Sequence, residues 1–534
     1  MSSRPPHSVV CAELGFAWPD GAAVLDHLDL AIPSGRTGIV GRNGCGKSTL
    51  LRLVAGELRP TGGTVSVSGE VAYLPQHLPL DTARTVADLL GITERRAALR
   101  AITSGDADPV HFTALDDDWD VELRAQEVLG RLGVLGLLGA DTDVLDRPVG
   151  TLSGGEAVLV GVAGLLLRRA AVSLLDEPTN NLDSRGRALL YAAVDAWPGV
   201  LVVVSHDRDL LERVDRIVEL REGARTFGGP YSAYVAALAA EQKAAARMVR
   251  VAEADVAREK RQFVETQVKL SRRKRYADTA EREKRVPKII ANTRKRQAQV
   301  SAAKYRNISA DRLDDARTAL ASAEEVVRDD DRIRVDLDAA VPAGRTVVQV
   351  GELIVRGPER IALVGDNGSG KTTLLEAMTG RRPHPRGGVG EPAVPVAYLP
   401  QRLDVLDDSR TVLANVRAAA PQADPQRVRA GLARFRIRGD AVDNLAGTLS
   451  GGERFRVSLA CLLLAEPPPQ LLLLDEPTNN LDLDSVEQLT AALAGYRGAL
   501  IVASHDPRFL EDLGVQRWWV VERMQLPRES GGRA

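Results

Sequence analysis

GRNGCGKST at Gly41–Thr49 follows the apolar run TGIV and precedes STLLRLV, and the same order returns as GDNGSGKTT at Gly365–Thr373 between IALV and TTLLEAM. Each reads as a buried strand, a glycine-rich turn and the start of a helix. Gly41, Gly44 and Gly46, and again Gly365, Gly368 and Gly370, let the backbone wrap so that successive N–H groups converge on one point, and the helix behind adds its positive end. Such a cradle fits polyphosphate. Asn43 and Asn367 sit inside the turns. Lys47 and Lys371 are placed to reach the β- and γ-phosphates, and Ser48, Thr49, Thr372 and Thr373 open the helices, with the Ser48 and Thr372 hydroxyls suited to Mg2+.

The doubling extends along the chain. AYLPQ ends at Gln76 and again at Gln401; TLSGGE occupies Thr151–Glu156 and Thr448–Glu453; LLDEPTNNLD occupies Leu174–Asp183 and Leu473–Asp482; SHD occupies Ser205–Asp207 and Ser504–Asp506. Five blocks in one order, twice, define two copies of one α/β unit. AVSLLD and QLLLLD suit central strands ending in an acid, and GVLVVVSHD and GALIVASHD suit their parallel neighbours, so a ligand belongs at that carboxyl edge. The expected domains are residues 1–234, a linker at 235–330 and residues 331–534. The interval from Gln76 to Ser153 is longer than that from Gln401 to Ser450, which places an insertion near Ala98–Asp120; with Asp116, Asp117, Asp118 and Asp120 at its end, it reads as a solvated surface loop.

A chain of 534 residues that is 44% hydrophobic has material for two cores and an extension. No apolar run approaches the length of a membrane span, and MSSRPPHSVV has neither a hydrophobic core nor a cleavage pattern. Cys11, Cys45 and Cys461 form no disulfide or metal framework, and the expectation is a reducing cytoplasm. The net charge is -2, yet Arg258–Arg306 holds 17 Lys or Arg against 5 Asp or Glu. Positive charge gathered on one element suggests a polyanionic partner; a solvated helical linker is the plainer reading.

Asp176 and Asp475, at strand ends, are placed to hold the metal; Glu177 and Glu476 follow and can polarise an attacking water. His206 and His505 lie at the same interval beyond in both halves, close enough in a parallel sheet to touch the γ-phosphate. Phosphoryl transfer mainly demands positioning and charge stabilisation, which these groups provide. At this point the sequence resembles the ATP-binding cassette superfamily, whose signature is the LSGGE at Leu152 and Leu449. The resemblance implies that the signature loop of one cassette closes over ATP held by the other. One site would combine Lys47, Gln76, Asp176, Glu177 and His206 with Ser450, Gly451 and Gly452. The other would combine Lys371, Gln401, Asp475, Glu476 and His505 with Ser153, Gly154 and Gly155. Gln76 and Gln401 join the metal set by the same resemblance, which makes ATP and Mg2+ the expected cofactors. Trp18 stands where the superfamily places an aromatic on adenine, whereas the equal count back from Gly365 falls on Pro342. Site two is therefore expected to bind nucleotide more weakly or to hold the base differently. Cys45, beside a helix start, also admits redox control.

In the linker, Val249, Val256, Phe263 and Leu270 recur at heptad spacing, as do Leu313, Leu320 and Val327, with Ala316 and Ala323 between them. Two helices packed antiparallel explain both series, with the turn near Val286-Pro287. Basic residues crowd the tip at 282–296: Arg282, Lys284, Arg285, Lys288, Arg294, Lys295 and Arg296 are the candidate RNA contacts, and few aromatics accompany them. Twin cassettes, no membrane segment and a long charged linker resemble the ABC-F family over essentially the whole length. That resemblance implies a monomer acting on the ribosome, with the linker reaching toward P-site tRNA and the peptidyl-transferase centre, either as a translation factor or in antibiotic resistance. An ATPase subunit for a separate membrane transporter and a DNA-repair ATPase remain alternatives.

Overall fold

A computed structural model describes residues 8–76, 84–138, 143–180, 182–282, 304, 307–308, 310–324, 340–401, 405–449, 451–479 and 481–531. The chain divides into two compact units. One comprises Met1–Tyr231 with Arg332–Ala534, the other Ser232–Asp331.

In the first cassette, β1 (Val9–Ala17), β2 (Ala23–Ile32), β3 (Gly35–Val40), β4 (Gly62–Val67) and β5 (Val71–Leu74) precede a helical region, after which come β6 (Val172–Asp176), β7 (Val200–Val204), β8 (Arg216–Leu220) and β9 (Ala224–Gly228). They form an antiparallel sheet β2-β1-β4 and a sheet β5-β6-β7-β3-β8-β9, parallel apart from β9. The second cassette repeats the main sheet with β10 (Thr346–Val350), β11 (Leu353–Arg356), β12 (Arg360–Val364), β13 (Val396–Leu399), β14 (Leu471–Asp475), β15 (Ala499–Ala503), β16 (Arg517–Val520) and β17 (Arg528–Ser530). Its main sheet runs β13-β14-β15-β12-β16-β17, and among the described residues its small sheet holds β10 and β11 alone.

The continuous apolar runs of β6 and β7 follow from cover on both faces. Val172, Leu174, Val200, Val202 and Val204 feed one core with the helix Lys47–Val54, while Leu175, Leu201 and Val203 feed another with the helix Gly154–Arg168. Alternation along β14 and β15 does the same in the second cassette. A parallel sheet so enclosed leaves its carboxyl edge as the place where turns can hold ligand.

The insertion differs from the expected loop. Residues 98–120 carry the end of the helix Thr93–Thr103 and a second helix, Pro109–Leu115, whose start is set by Asp108 accepting from the Val110 amide at 2.9 Å with Pro109 at the first helical position. Leu115 is buried beneath it, which gives the segment an anchor that acidic composition did not suggest.

In the second unit, the helix Tyr231–Arg282 pairs with helical residues 310–324. Shielded positions from Gln242 to Leu270 alternate by three and four through Ala245, Val249, Ala252, Val256, Glu259, Phe263 and Thr266, and Leu313, Ala316, Leu320 and Ala323 answer them. This is a coiled-coil seam with its second core position given over to small or polar side chains. Val327 and the turn at Val286-Pro287 lie outside the described residues.

Candidate active site

The two phosphate-binding turns adopt the same geometry. Gly46 and Gly370 precede their helices with φ 96° and 107°, a left-handed conformation that glycine alone adopts freely. In the first turn, Lys47 folds back so that Nζ donates to the Gly41 and Arg42 carbonyls at 2.7 and 3.0 Å. Lys371 does likewise to Gly365 and Asp366 at 2.6 and 3.2 Å, and also lies 2.9 Å from Nε2 of His505. Both ammonium groups are thus held at the mouth of the turn by weak acceptors that a phosphate oxygen can displace.

Behind each turn stand the acid pair and the histidine. Glu177 and Glu476 take left-handed backbone angles, φ 48° and 45°, and donate their amides to the Val204 and Ala503 carbonyls at 2.9 and 2.8 Å. Non-glycine residues held this way mark over-determined, usually functional positions. His206 Nε2 lies 3.1 Å from Glu177 Oε1, and His505 Nε2 lies 3.4 Å from Glu476 Oε1. Burial pushes the Glu177 carboxyl up to about 8 and the Glu476 carboxyl up to about 7. Burial, then the neighbouring lysine, brings both histidines down to about 3. Each pair is a carboxyl poised near neutrality beside a neutral imidazole, a combination suited to proton transfer with water.

Asp176 and Asp475 are oriented by tyrosines. Tyr73 and Tyr398, from the AYLPQ blocks, donate their hydroxyls to Oδ2 of Asp176 and Asp475, both at 3.3 Å. Oδ1 of Asp475 is buried without a hydrogen-bond partner, which is the condition of a carboxylate oxygen kept for a cation. No group of three or more His, Cys, Asp or Glu side chains is placed to hold a metal ion by itself among the described residues, which leaves one carboxylate and a hydroxyl at each site. That donor set fits Mg2+ held by a carboxylate, the Ser48 or Thr372 hydroxyl and phosphate oxygens.

A pocket of about 540 Å3 at the first site brings together Trp18, Asn43, Gly44, Gly46, Lys47, Ser48, Thr49, Gln76, Glu177 and His206, with Val24, Asn180 and Val204. Trp18 is 37% exposed and packs edge-on against Phe16 at 5.0 Å, so a face remains for a base. Gly451 and Gly452 of the opposite signature are not in this lining, and Ser450 lies outside the described residues. Ser153 opens the helix Gly154–Arg168 in a reciprocal capping box with Glu156, its hydroxyl accepting at 3.2 Å. Cys45 is raised by burial first, which opposes thiolate formation.

Sequence reading missed the tyrosines, Val24 and the cross-cassette contacts. Asp482 accepts from the Asn43 amide at 2.8 Å, Arg42 meets Asp484 at 3.2 Å, and Arg508 meets Asp209 at 2.7 Å. Arg282 ends its helix, and Lys284, Arg285, Lys288, Arg294, Lys295 and Arg296 lie outside the described residues.

Twin phosphate-binding turns, buried acid–histidine pairs and mixed sheets under helical subdomains define an ATP-binding cassette ATPase. The sequence profile described as ABC transporter matches residues 25–180 and 351–479. Over 539 residues the chain is 33% identical to the tylosin resistance ATP-binding protein TlrC of Streptomyces fradiae, covering 92% of this chain and 93% of that one. It is 29% identical to the probable ATP-binding protein YheS of Escherichia coli strain K12, covering 94% and 77%. It is also 29% identical to ABC transporter F family member 5 of Arabidopsis thaliana, covering 92% and 72%. The chain belongs to the ABC-F family of ATP-binding cassette proteins and hydrolyses ATP. Among solved structures, an archaeal ribosome recycling factor in complex with a ribosomal stalk protein shares the fold at TM-score 0.53 and 20% identity, over 97% of this chain and 89% of that one.

Proposed function

We propose that the chain is an ATP-dependent ribosome-binding protein in which ATP draws the two cassettes together and hydrolysis releases them. The observation that carries this reading is the likeness to a tylosin resistance protein over nine tenths of both chains, linker included. The helical unit Ser232–Asp331 supports it, as does the fact that no described helix is long and apolar enough to cross a membrane.

In this reading Glu177 and Glu476 polarise the attacking water, His206 and His505 steady the γ-phosphate, and Lys47 and Lys371 neutralise it. Ser48, Gln76 and Asp176, and Thr372, Gln401 and Asp475, would hold Mg2+, which when bound offsets charge on the transferring phosphoryl group. Ser153, Gly154 and Gly155, and Ser450, Gly451 and Gly452, would close over the opposite nucleotide. The basic linker tip would contact ribosomal RNA and P-site tRNA through phosphates near the peptidyl-transferase centre, giving ribosomal protection from antibiotic or a translation-factor role.

The test is co-sedimentation of the Glu177→Gln, Glu476→Gln protein with ribosomes and with membranes in the presence of ATP. Ribosome binding that needs ATP is expected; binding to membranes alone would instead make the chain a transporter subunit. Deleting residues 282–296 is expected to abolish cellular function while leaving basal hydrolysis intact.

A further inference from the structure

The two nucleotide sites differ on the side where the base lies. In the first cassette the β1–β2 hairpin runs from the pair Val9–Ile32 out to Ala17–Ala23, and its outer end carries Phe16 and Trp18. In the second, β10 and β11 pair only from Thr346–Arg356 to Val350–Leu353. Among the described residues the outer half of the first hairpin has no counterpart in the second cassette, and no aromatic stands at the equivalent place.

Another segment stands there. The turn after β8 spans only 221–223, since Leu220 pairs with Ala224, whereas the turn after β16 spans 521–527, since Val520 pairs with Arg528. In this longer turn Arg523 and Met524 both take left-handed angles, φ 45° and 57°. The Met524 amide donates to the Ser369 carbonyl at 2.7 Å, tying the turn to the phosphate loop. A Cβ placed on Gly370 would lie 2.6 Å from Met524 Sδ; one placed on Gly46 would lie 2.9 Å from Val24 Cγ1 and Leu25 Cδ2. Met524 therefore covers Gly370 on the face where β2 covers Gly46, and Val24 lines the first pocket beside Trp18. Leu526 packs on Gly351, at the tip of the β10–β11 hairpin, so the turn bridges that tip and the phosphate loop.

We propose that the Met524 side chain, held over Gly370 by the 521–527 turn, forms the base-side wall of the second ATP site. The proposal rests on the ATPase reading of that site. A thioether packs favourably against an aromatic ring and adapts to its outline, although it offers less area than an indole. Recognition of the base at the second site is then assigned to a turn that follows the last catalytic block.

The test uses the full chain with Lys47→Ala to disable the first site, and measures binding of ATP and of inorganic tripolyphosphate. Met524→Ala is expected to weaken ATP about tenfold while tripolyphosphate binding stays within about twofold, because only the base loses a contact. Met524→Leu, which keeps an apolar wall of similar volume, is expected to recover most of the ATP affinity. Equal losses of ATP and tripolyphosphate would make Met524 a prop for the loop and overturn the proposal, as would no loss of either. If the Lys47→Ala parent binds tripolyphosphate but shows no preference for ATP over it, the wall contacts no base. If it binds neither, the ATP reading of the second site fails first, and the proposal with it.

Discussion

Asp482 accepts a hydrogen bond from the Asn43 amide at 2.8 Å, so a carboxylate that opens a helix in the second cassette reaches the phosphate-binding turn of the first. Its other oxygen caps the helix Leu483–Ala494 through the Ser485 amide, also at 2.8 Å. Burial works to raise the Asp482 pKa, yet the hydrogen bonds from Ser485 and Asn43 carry it below the usual carboxylate range. One side chain serves both the local fold and the contact between halves.

Asp482→Asn separates these duties. Asparagine caps helices as well as aspartate, so the thermal midpoint should move little. Its single carbonyl oxygen cannot serve Ser485 and Asn43 together, and the amide nitrogen would face the Asn43 N–H. Losing a charge-assisted bond of about 1.5–3 kcal/mol should weaken ATP at the first site roughly tenfold or more, read by titration of the chain carrying Lys371→Ala. A large fall in the midpoint instead would make the residue a cap and nothing more.

Glu177→Gln and Glu476→Gln keep the shape of each site while removing the group that can accept a proton. Phosphate release by the double variant should fall by roughly 10²-fold or more, with ATP affinity retained. Each single variant should leave turnover at the other site, unless the two sites fire only together. Steady-state phosphate release and equilibrium nucleotide binding, measured on the same preparations, distinguish these outcomes.

Trp18→Ala removes a platform and no core. The ring is partly exposed and touches Phe16 by its edge, so stability should change by well under the cost of a core truncation. Loss of base stacking is worth about 1–3 kcal/mol, which predicts a first site weakened by about fivefold or more and a second site unaffected. Affinities measured with Lys47→Ala and Lys371→Ala backgrounds would show this directly.

What could be read without coordinates is local in the chain. The phosphate turns, the acids and the histidines sit in contiguous blocks whose spacing carries their geometry, and the strands around them are apolar because both faces are covered. Tyr73 and Tyr398 were less legible because a tyrosine alternating along a strand looks like any edge residue until the next strand brings Asp176 or Asp475 beside it. Asp482 escaped because Asn43 lies far away in sequence. The insertion at 98–120 reads as a loop by its charge, whereas its structure follows from the Asp108–Pro109 helix start.

Arg96 supplies a test of acid stability away from nucleotide. It is 4% exposed, lies 2.5 Å from Glu122, and is held as well by Asp143 and Asp146, which Arg100 also contacts. The hydrogen bond from Arg96 is the first cause holding the Asp146 carboxyl below its ordinary 3.8. A carboxyl depressed in the folded state binds fewer protons there than in the unfolded chain, so stability rises with pH through that window. The contribution is present above about pH 4 and is lost as pH falls through the folded value, where the guanidinium is left buried among neutral acids. Arg96→Met should therefore flatten the acid limb of stability below about pH 4, with its cost at pH 7 limited because the Glu122, Asp143 and Asp146 side chains are 34–50% exposed and can be hydrated once the cation is gone. Asp143→Ala with Asp146→Ala should do the opposite, lowering stability already at pH 7 by stranding the cation. Urea unfolding across that pH range decides it; parallel acid limbs in the parent and Arg96→Met proteins would move the source of acid sensitivity elsewhere in the chain.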